Sequence, residues 1–195
     1  MLYLFARSVL LVFYKIFFRM TVIGKENVPK EGAAILCANH ISNYDPITMA
    51  IFLKRLPHYM AKKELFSVPV VGWLIRHLNA FPVDRSTADM NAFKMAVKVL
   101  KSGELVGMFA QGTRVKEGEE KAAKAGVALF AMKADVPVIP VAISGSCKLF
   151  SHMTIEYGEP LYFEEYRGKR LKTENLEEIT SQVMEKIQEM RNREA

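Results

Sequence analysis

Short apolar runs that alternate with segments of helical periodicity constrain this 195-residue chain more than any other feature. "AAILCAN" (33–39) is a continuous apolar run that reads as a buried strand, and Pro46 then opens "PITMAIFLK", a short helix with proline in its first turn. "HYMAK" (58–62), "NAFPV" (79–83), "ELVGMFA" (104–110), "VPVIPVAI" (136–143) and "MTIEYGEPL" (153–161) read as further strands. The prolines of "VPVIPVAI" point to a strand start or a sheet edge. Helical patterns fall over 88–101, over "EEKAAKAGVALFAMKA" (119–134), and from Thr173 onward. In the last of these, Leu176, Ile179, Val183, Ile187 and Met190 form a core-facing stripe. This alternation predicts an α/β fold, a single domain whose mainly parallel, mixed central sheet is flanked by helices. Three polar clusters then follow strands: His40 to Asp45, Asp84-Arg85, and Gln111 to Arg114. A parallel sheet gathers such carboxyl-end clusters at one edge, where open α/β sheets bind ligands.

Twenty-seven basic residues against 21 acidic ones leave a formal charge of +6, which suits an anionic partner such as a phospholipid surface or a phosphorylated substrate. Cys37 and Cys147 lie far apart beside apolar residues and read as buried thiols rather than a disulfide framework. The opening segment is very apolar, yet only seven uncharged residues separate Arg7 from Lys15, against roughly 20 needed to span a bilayer. At about 100° per residue, Arg7, Lys15 and Arg19 fall within a sector of about 120°. Residues 1–22 are therefore expected to form a helix lying in the membrane interface, its bases toward headgroups and its Phe/Leu/Ile body in the acyl layer. Residues 23–195 form the remaining domain. The expected location is peripheral or monotopic, on the cytoplasmic face of the cell membrane.

The stretch "NHISNYDP" (39–46) supports two compatible readings. Asp45 before Pro46 is a good helix N-cap, with His40 an ordinary loop residue. Alternatively Asp45 orients one imidazole nitrogen and leaves the other as a base, a task for which a carboxylate has spare acceptor capacity. In "FPVDR", Arg85 is either a phosphate ligand or the partner of Asp84. "FAQGTR" places Gly112, Thr113 and Arg114 together, a combination that suits phosphate, and Lys62 and Lys63 add positive charge. The chain lacks a G-x-S-x-G elbow, a P-loop and H-E-x-x-H, and its four histidines show no metal-ligand spacing. Its bases follow no nucleic-acid module pattern, so no nucleic-acid partner is expected.

Taken together, the clusters resemble the 1-acyl-sn-glycerol-3-phosphate acyltransferase (lysophosphatidate acyltransferase) family of glycerolipid acyltransferases. Asn39, His40 and Asp45 match N-H-x-x-x-x-D, "FPVDR" resembles the Phe/Ile-x-x-Asp-Arg element, "FAQGTRV" the F-P-E-G-T-R-S block, and "VPVIPVAI" a V-P-[VI]-[IV]-P-V strand. The resemblance runs from about residue 24 to 160, with the blocks in order. It implies that His40 takes the proton of the sn-2 hydroxyl of 1-acyl-sn-glycerol 3-phosphate while Asp45 orients it. The donor is acyl-CoA or acyl-carrier protein, and the product is phosphatidate. Arg114, with Lys62 and Arg85, is expected to hold the acceptor phosphate, Gly112 and Thr113 shaping that loop. The strand around Ile139 and Pro140 is expected to line the acyl site. No metal or organic cofactor is implied. The third block departs from the pattern, since Ala110, Gln111 and Val115 stand where proline, glutamate and serine are usual. The alternatives are an acyltransferase for another acceptor, such as glycerol 3-phosphate or another lysolipid, and a non-catalytic membrane-binding relative.

Overall fold

The computed structural model describes residues 2–84, 89–112, 125–146 and 148–193. Among them seven strands form one sheet: β1 (Arg19–Ile23), β2 (Ala34–Ala38), β3 (His58–Lys62), β4 (Ala80–Val83), β5 (Leu105–Phe109), β6 (Val138–Gly145) and β7 (His152–Tyr157). Their order is β1-β7-β6-β2-β5-β3-β4, and every neighbouring pair is parallel except β6 and β7. Among the described residues six α-helices accompany them: α1 (Leu2–Phe17), α2 (Asp45–Ile51), α3 (Pro69–His77), α4 (Met90–Lys101), α5 (Gly126–Ala134) and α6 (Thr173–Arg193). The fold is the single α/β domain with a mainly parallel mixed sheet that the alternation predicts.

β2 explains where the core sits. It is flanked by β5 and β6, and all five of its residues are completely buried. A strand covered on both faces needs no polar alternation, which is why "AILCA" is apolar throughout. Ile35 and Cys37 face one layer, with Leu100 of α4, Val127 of α5 and the α6 residues Ile179, Val183 and Ile187. Ala34, Leu36 and Ala38 face the other, with Met49 of α2, Leu53, Ile139 and Ile155. The stripe read from the C-terminal tail thus packs on the sheet. Burial also raises the Cys37 thiol to about 12, so it is a core residue rather than a reactive one. Cys147 lies outside the described residues.

Two local expectations need correction. Pro137 stands directly before the first residue of β6, as a strand start requires, but the strand is interior and not an edge, although Pro140 lies within it. Pro140 sits where the β7 ladder has ended: its carbonyl accepts from Gly158 N–H, and pairing resumes only at the Val138–Leu161 bridge. The missing proline N–H therefore breaks no ladder bond. The N-terminal segment also divides differently, because α1 ends at Phe17 and residues 19–23 become strand β1 against β7. The expected basic sector of α1 is split, since Lys15 stays exposed while Arg7 turns inward. The Arg7 side faces the protein: Arg7 Nε donates to the carbonyl of Ile51 at the end of α2 at 2.8 Å, and the buried Tyr14 hydroxyl meets Thr48 Oγ1 at 3.1 Å. Val9, Val12, Phe13 and Ile16 point outward instead. The carbonyls at a helix C-terminus attract a cation, which is what draws Arg7 inward.

Cross-strand partners Tyr59 and Gly107 illustrate how the sheet accommodates bulk. The Tyr59 ring lies over Gly107, and a Cβ there would meet it at 2.2 Å. Gly107→Ala is expected to lower stability by about 1–3 kcal/mol through overpacking. Urea unfolding will measure this, and in a Tyr59→Ala background the same substitution should cost clearly less, because the clash partner is gone.

Candidate active site

Strands β2, β5, β3 and β4 run parallel, so the loops after them emerge at one edge. The loop after β2 is held by two side chains of its own sequence. Asn39, 2% exposed, exchanges hydrogen bonds with the backbone of Ile143: Asn39 Nδ2 donates to the carbonyl at 2.9 Å, and Ile143 N–H donates to Asn39 Oδ1 at 2.8 Å. The amide thereby continues the β2–β6 ladder past Val141, after the β2 backbone has turned away. His40 follows immediately, and its orientation starts from that anchor.

Asp45 is fully buried at the first turn of α2, but it does not cap the helix as the sequence suggests. Its carboxylate turns back into the preceding loop. Oδ2 accepts from Ile41 N–H and Ser42 N–H, both at 2.7 Å, and from His40 Nδ1 at 2.8 Å. An oxygen already accepting from two amides can only accept from the ring, so Nδ1 carries a proton, and in the neutral imidazole the lone pair is then on Nε2. Nε2 makes no hydrogen bond to a described residue. The helix residue that orients the ring and the loop amides that fix the carboxylate form one closed circuit.

A second constraint comes from β5. Phe109 is paired with Ala38 in the sheet, and its ring stacks on His40 with centroids 4.0 Å apart and planes 17° from parallel. The imidazole is thus held at its edge by Asp45 and over one face by Phe109. Beyond β5, Ala110 N–H donates to the Ala38 carbonyl at 3.0 Å, which brings Gln111 and Gly112 beside the His40 loop. Gly112 adopts φ 66° and donates to the Phe109 carbonyl at 2.9 Å, a tight turn that favours glycine. Gln111 Oε1 is buried without a hydrogen-bond partner among the described residues, as is Asp45 Oδ1.

The expected phosphate ligands fare unevenly. Lys62, at the end of β3, is exposed and 3.6 Å from Glu64. Asp84 pairs with Lys63, which raises the lysine's pKa through that hydrogen bond and charge. Arg85, Thr113 and Arg114 lie outside the described residues. Among the described residues no cluster of three or more His, Cys, Asp or Glu is placed to hold a metal ion. Phe109 is the contact that sequence reasoning missed, because its place over His40 follows from strand register and not from any motif. A base aimed by a buried carboxylate can remove a proton from a hydroxyl brought to Nε2.

Residues 19–144 match the family model described as Acyltransferase. Over 98% of its length the chain is 32% identical to the 1-acyl-sn-glycerol-3-phosphate acyltransferase of Bacillus subtilis (strain 168), and it covers 98% of that protein. It is also 32% identical to the enzyme of the same name from Streptococcus pneumoniae (strain ATCC BAA-255 / R6), over 80% of this chain and 60% of that one. The crystal structure of the 1-acyl-sn-glycerophosphate (LPA) acyltransferase PlsC from Thermotoga maritima superposes with a TM-score of 0.70 at 29% identity. That match covers 90% of this chain and 73% of the other.

Asp45→Ala leaves the Ile41 and Ser42 amides without their acceptor, at about 1–3 kcal/mol for each donor that water does not reach. The expected result is a lowered urea midpoint and faster amide exchange at Ile41 and Ser42; unchanged exchange would show that the loop does not depend on this carboxylate.

Proposed function

Because the chain belongs to the acyltransferase family, we propose that it transfers an acyl group from acyl-CoA or acyl-carrier protein to the sn-2 hydroxyl of 1-acyl-sn-glycerol 3-phosphate. The product is phosphatidate, and the reaction belongs to phospholipid biosynthesis. One observation carries the mechanism: the 2.8 Å contact between His40 Nδ1 and Asp45 Oδ2, which leaves the opposite ring nitrogen to act as base. Nε2 takes the hydroxyl proton as the oxygen attacks the thioester carbonyl carbon. The tetrahedral intermediate collapses, the C–S bond breaks, and the imidazolium returns the proton to the departing sulfur. Asp45 offsets the imidazolium charge while it exists, and Phe109 keeps the ring from turning. A positioned base of this kind contributes roughly 10²- to 10⁴-fold.

Arg114, Lys62 and Arg85 bind the acceptor's phosphate in this reading, with Gly112 and Thr113 forming the loop that presents Arg114. Gln111 keeps the size of the usual glutamate and one acceptor oxygen while losing its charge. No metal or organic cofactor takes part. The protein works from the membrane surface, on the cytoplasmic face, as a peripheral or monotopic protein. Support comes from α1, whose outward face is Val9, Val12, Phe13 and Ile16, the last 60% exposed, continued by exposed Leu149 and Phe150. Phe17 and Phe150 stack loosely, and Phe150 N–H donates to the Phe17 carbonyl, so the two apolar pieces form one surface. No helix of the described residues is long and apolar enough to cross a membrane.

His40→Ala should reduce transfer from labelled acyl donors to lysophosphatidate by about 10²-fold or more, with vesicle binding unchanged; undiminished transfer would refute the mechanism. Strong use of acceptors that lack a phosphate monoester would redirect the assignment to another lysolipid. Gln111→Glu is expected to change the rate less than about tenfold, the range of a hydrogen-bonding adjustment. A larger change means that the missing charge governs the third block. Ile16→Asp and Val12→Asp should weaken vesicle sedimentation without affecting the fold, since both side chains already face outward.

A further inference from the structure

Helix α3 breaks the rule that an apolar helix is a buried one. Among its nine residues only Gly72 is buried. A Cβ at Gly72 would lie 2.4 Å from the Phe66 carbonyl oxygen, so the glycine is what lets α3 seat against the 3-10 turn at 63–67. At about 100° per residue, Trp73, Val70, Leu74 and Val71 then occupy one outward sector of roughly 160°. Val70 is 77% exposed, Trp73 51%, and Leu65 and Val68 extend the surface N-terminally. A contiguous exposed apolar surface of this kind marks an interaction site.

Position and charge select the occupant. The β2-α2-β3 connection places α2 on one side of the sheet, with Met49 against Leu36 and Ile139. The β3-α3-β4 connection runs in the same direction across the sheet, so the same right-handed crossover puts α3 on that side. Helix α1 packs on α2 there, and so does Phe109, the ring stacked on His40. A base borders the apolar sector: Arg76 lies with its guanidinium 5.4 Å from the Phe66 ring centroid, while Lys62 and Lys63, which precede α3, are paired with the acids Glu64 and Asp84. Apolar residues with a tryptophan, edged by a base, match the acyl–headgroup boundary of an anionic bilayer.

We propose that α3 is a second membrane-docking element, separate in sequence from α1, which inserts Val70, Trp73 and Leu74 into the surface of an anionic phospholipid bilayer. Two docking elements on the side that carries His40 hold the site at the lipid boundary, where a lysolipid acceptor resides. The inference rests on the reading that the protein works at a membrane.

Trp73 is the chain's single tryptophan, so its fluorescence reports α3 alone. The full-length protein is mixed with phosphatidylglycerol/phosphatidylcholine vesicles, with and without brominated phosphatidylcholine, and sedimented. The expected result is a blue-shifted Trp73 emission, quenched by the brominated lipid in the pelleted protein, with Val70→Asp/Leu74→Asp weakening sedimentation about tenfold. That loss corresponds to about 1.4 kcal/mol, within what partial burial of two such side chains supplies. Protein that sediments while Trp73 stays unshifted and unquenched overturns the α3 proposal and leaves the α1 reading standing. Protein that fails to sediment at all overturns both. A concentration-dependent dimer whose Trp73 is already blue-shifted before lipid is added assigns the face to a second copy, and also overturns the proposal.

Discussion

One carboxylate oxygen organises the site. Asp45 Oδ2 accepts two loop amides and the His40 ring, so the same atom shapes the backbone and aims the side chain. Hydrogen bonds to a charged acceptor are worth about 1.5–3 kcal/mol each, and more is at stake when the donor would otherwise be stranded. His40 cannot rotate freely without abandoning Oδ2 on one side or the Phe109 ring on the other. Asn39 supplies the third restraint by tying the loop's first residue to Ile143 on the neighbouring strand. Preorganisation here comes from a short loop with both ends bonded to rigid strands or to a helix start.

The helix that carries Asp45 is itself clamped. Tyr157 from β7 donates its hydroxyl to the Met49 carbonyl, Arg7 from α1 donates to the Ile51 carbonyl, and Tyr14 meets Thr48. Two of these three braces belong to α1, the element proposed to face lipid. An N-terminal helix with Arg7 and Tyr14 turned onto α2 and Val9, Val12, Phe13 and Ile16 turned outward serves the core and the surface at once. The arrangement also explains why a charged residue such as Arg7 can sit within so apolar a segment, because the carbonyl end of α2 supplies its partner.

Much of the molecule was legible from residues alone because strands and helices write different periods. β2 through β7 fall where apolar runs were read, and the α6 stripe buries Ile179, Val183, Ile187 and Met190 as spacing requires. The meeting of His40, Gln111 and Gly112 at one edge also followed, since parallel strands align their carboxyl ends. Less legible were features that depend on two distant segments. Pro140 could be placed in an interior strand only once the β7 ladder was seen to stop short of it. The direction of the Asp45 carboxylate, back into its loop rather than forward over α2, is a choice between two sets of amide donors. An Asp-Pro pair does not encode that choice.

What the sequence by itself determined is the alternation that makes a parallel sheet, and the five-residue spacing that lets an aspartate at a helix start reach back to a histidine. Both are local, set by dihedral preference, burial and chain reach. Tertiary structure alone decided that Phe109 stacks on His40, that Arg7 faces α2, and that Val70, Trp73 and Leu74 of α3 are exposed. Each depends on which surface another element happens to occupy, and periodicity shows only that a residue has a face, never what lies against it.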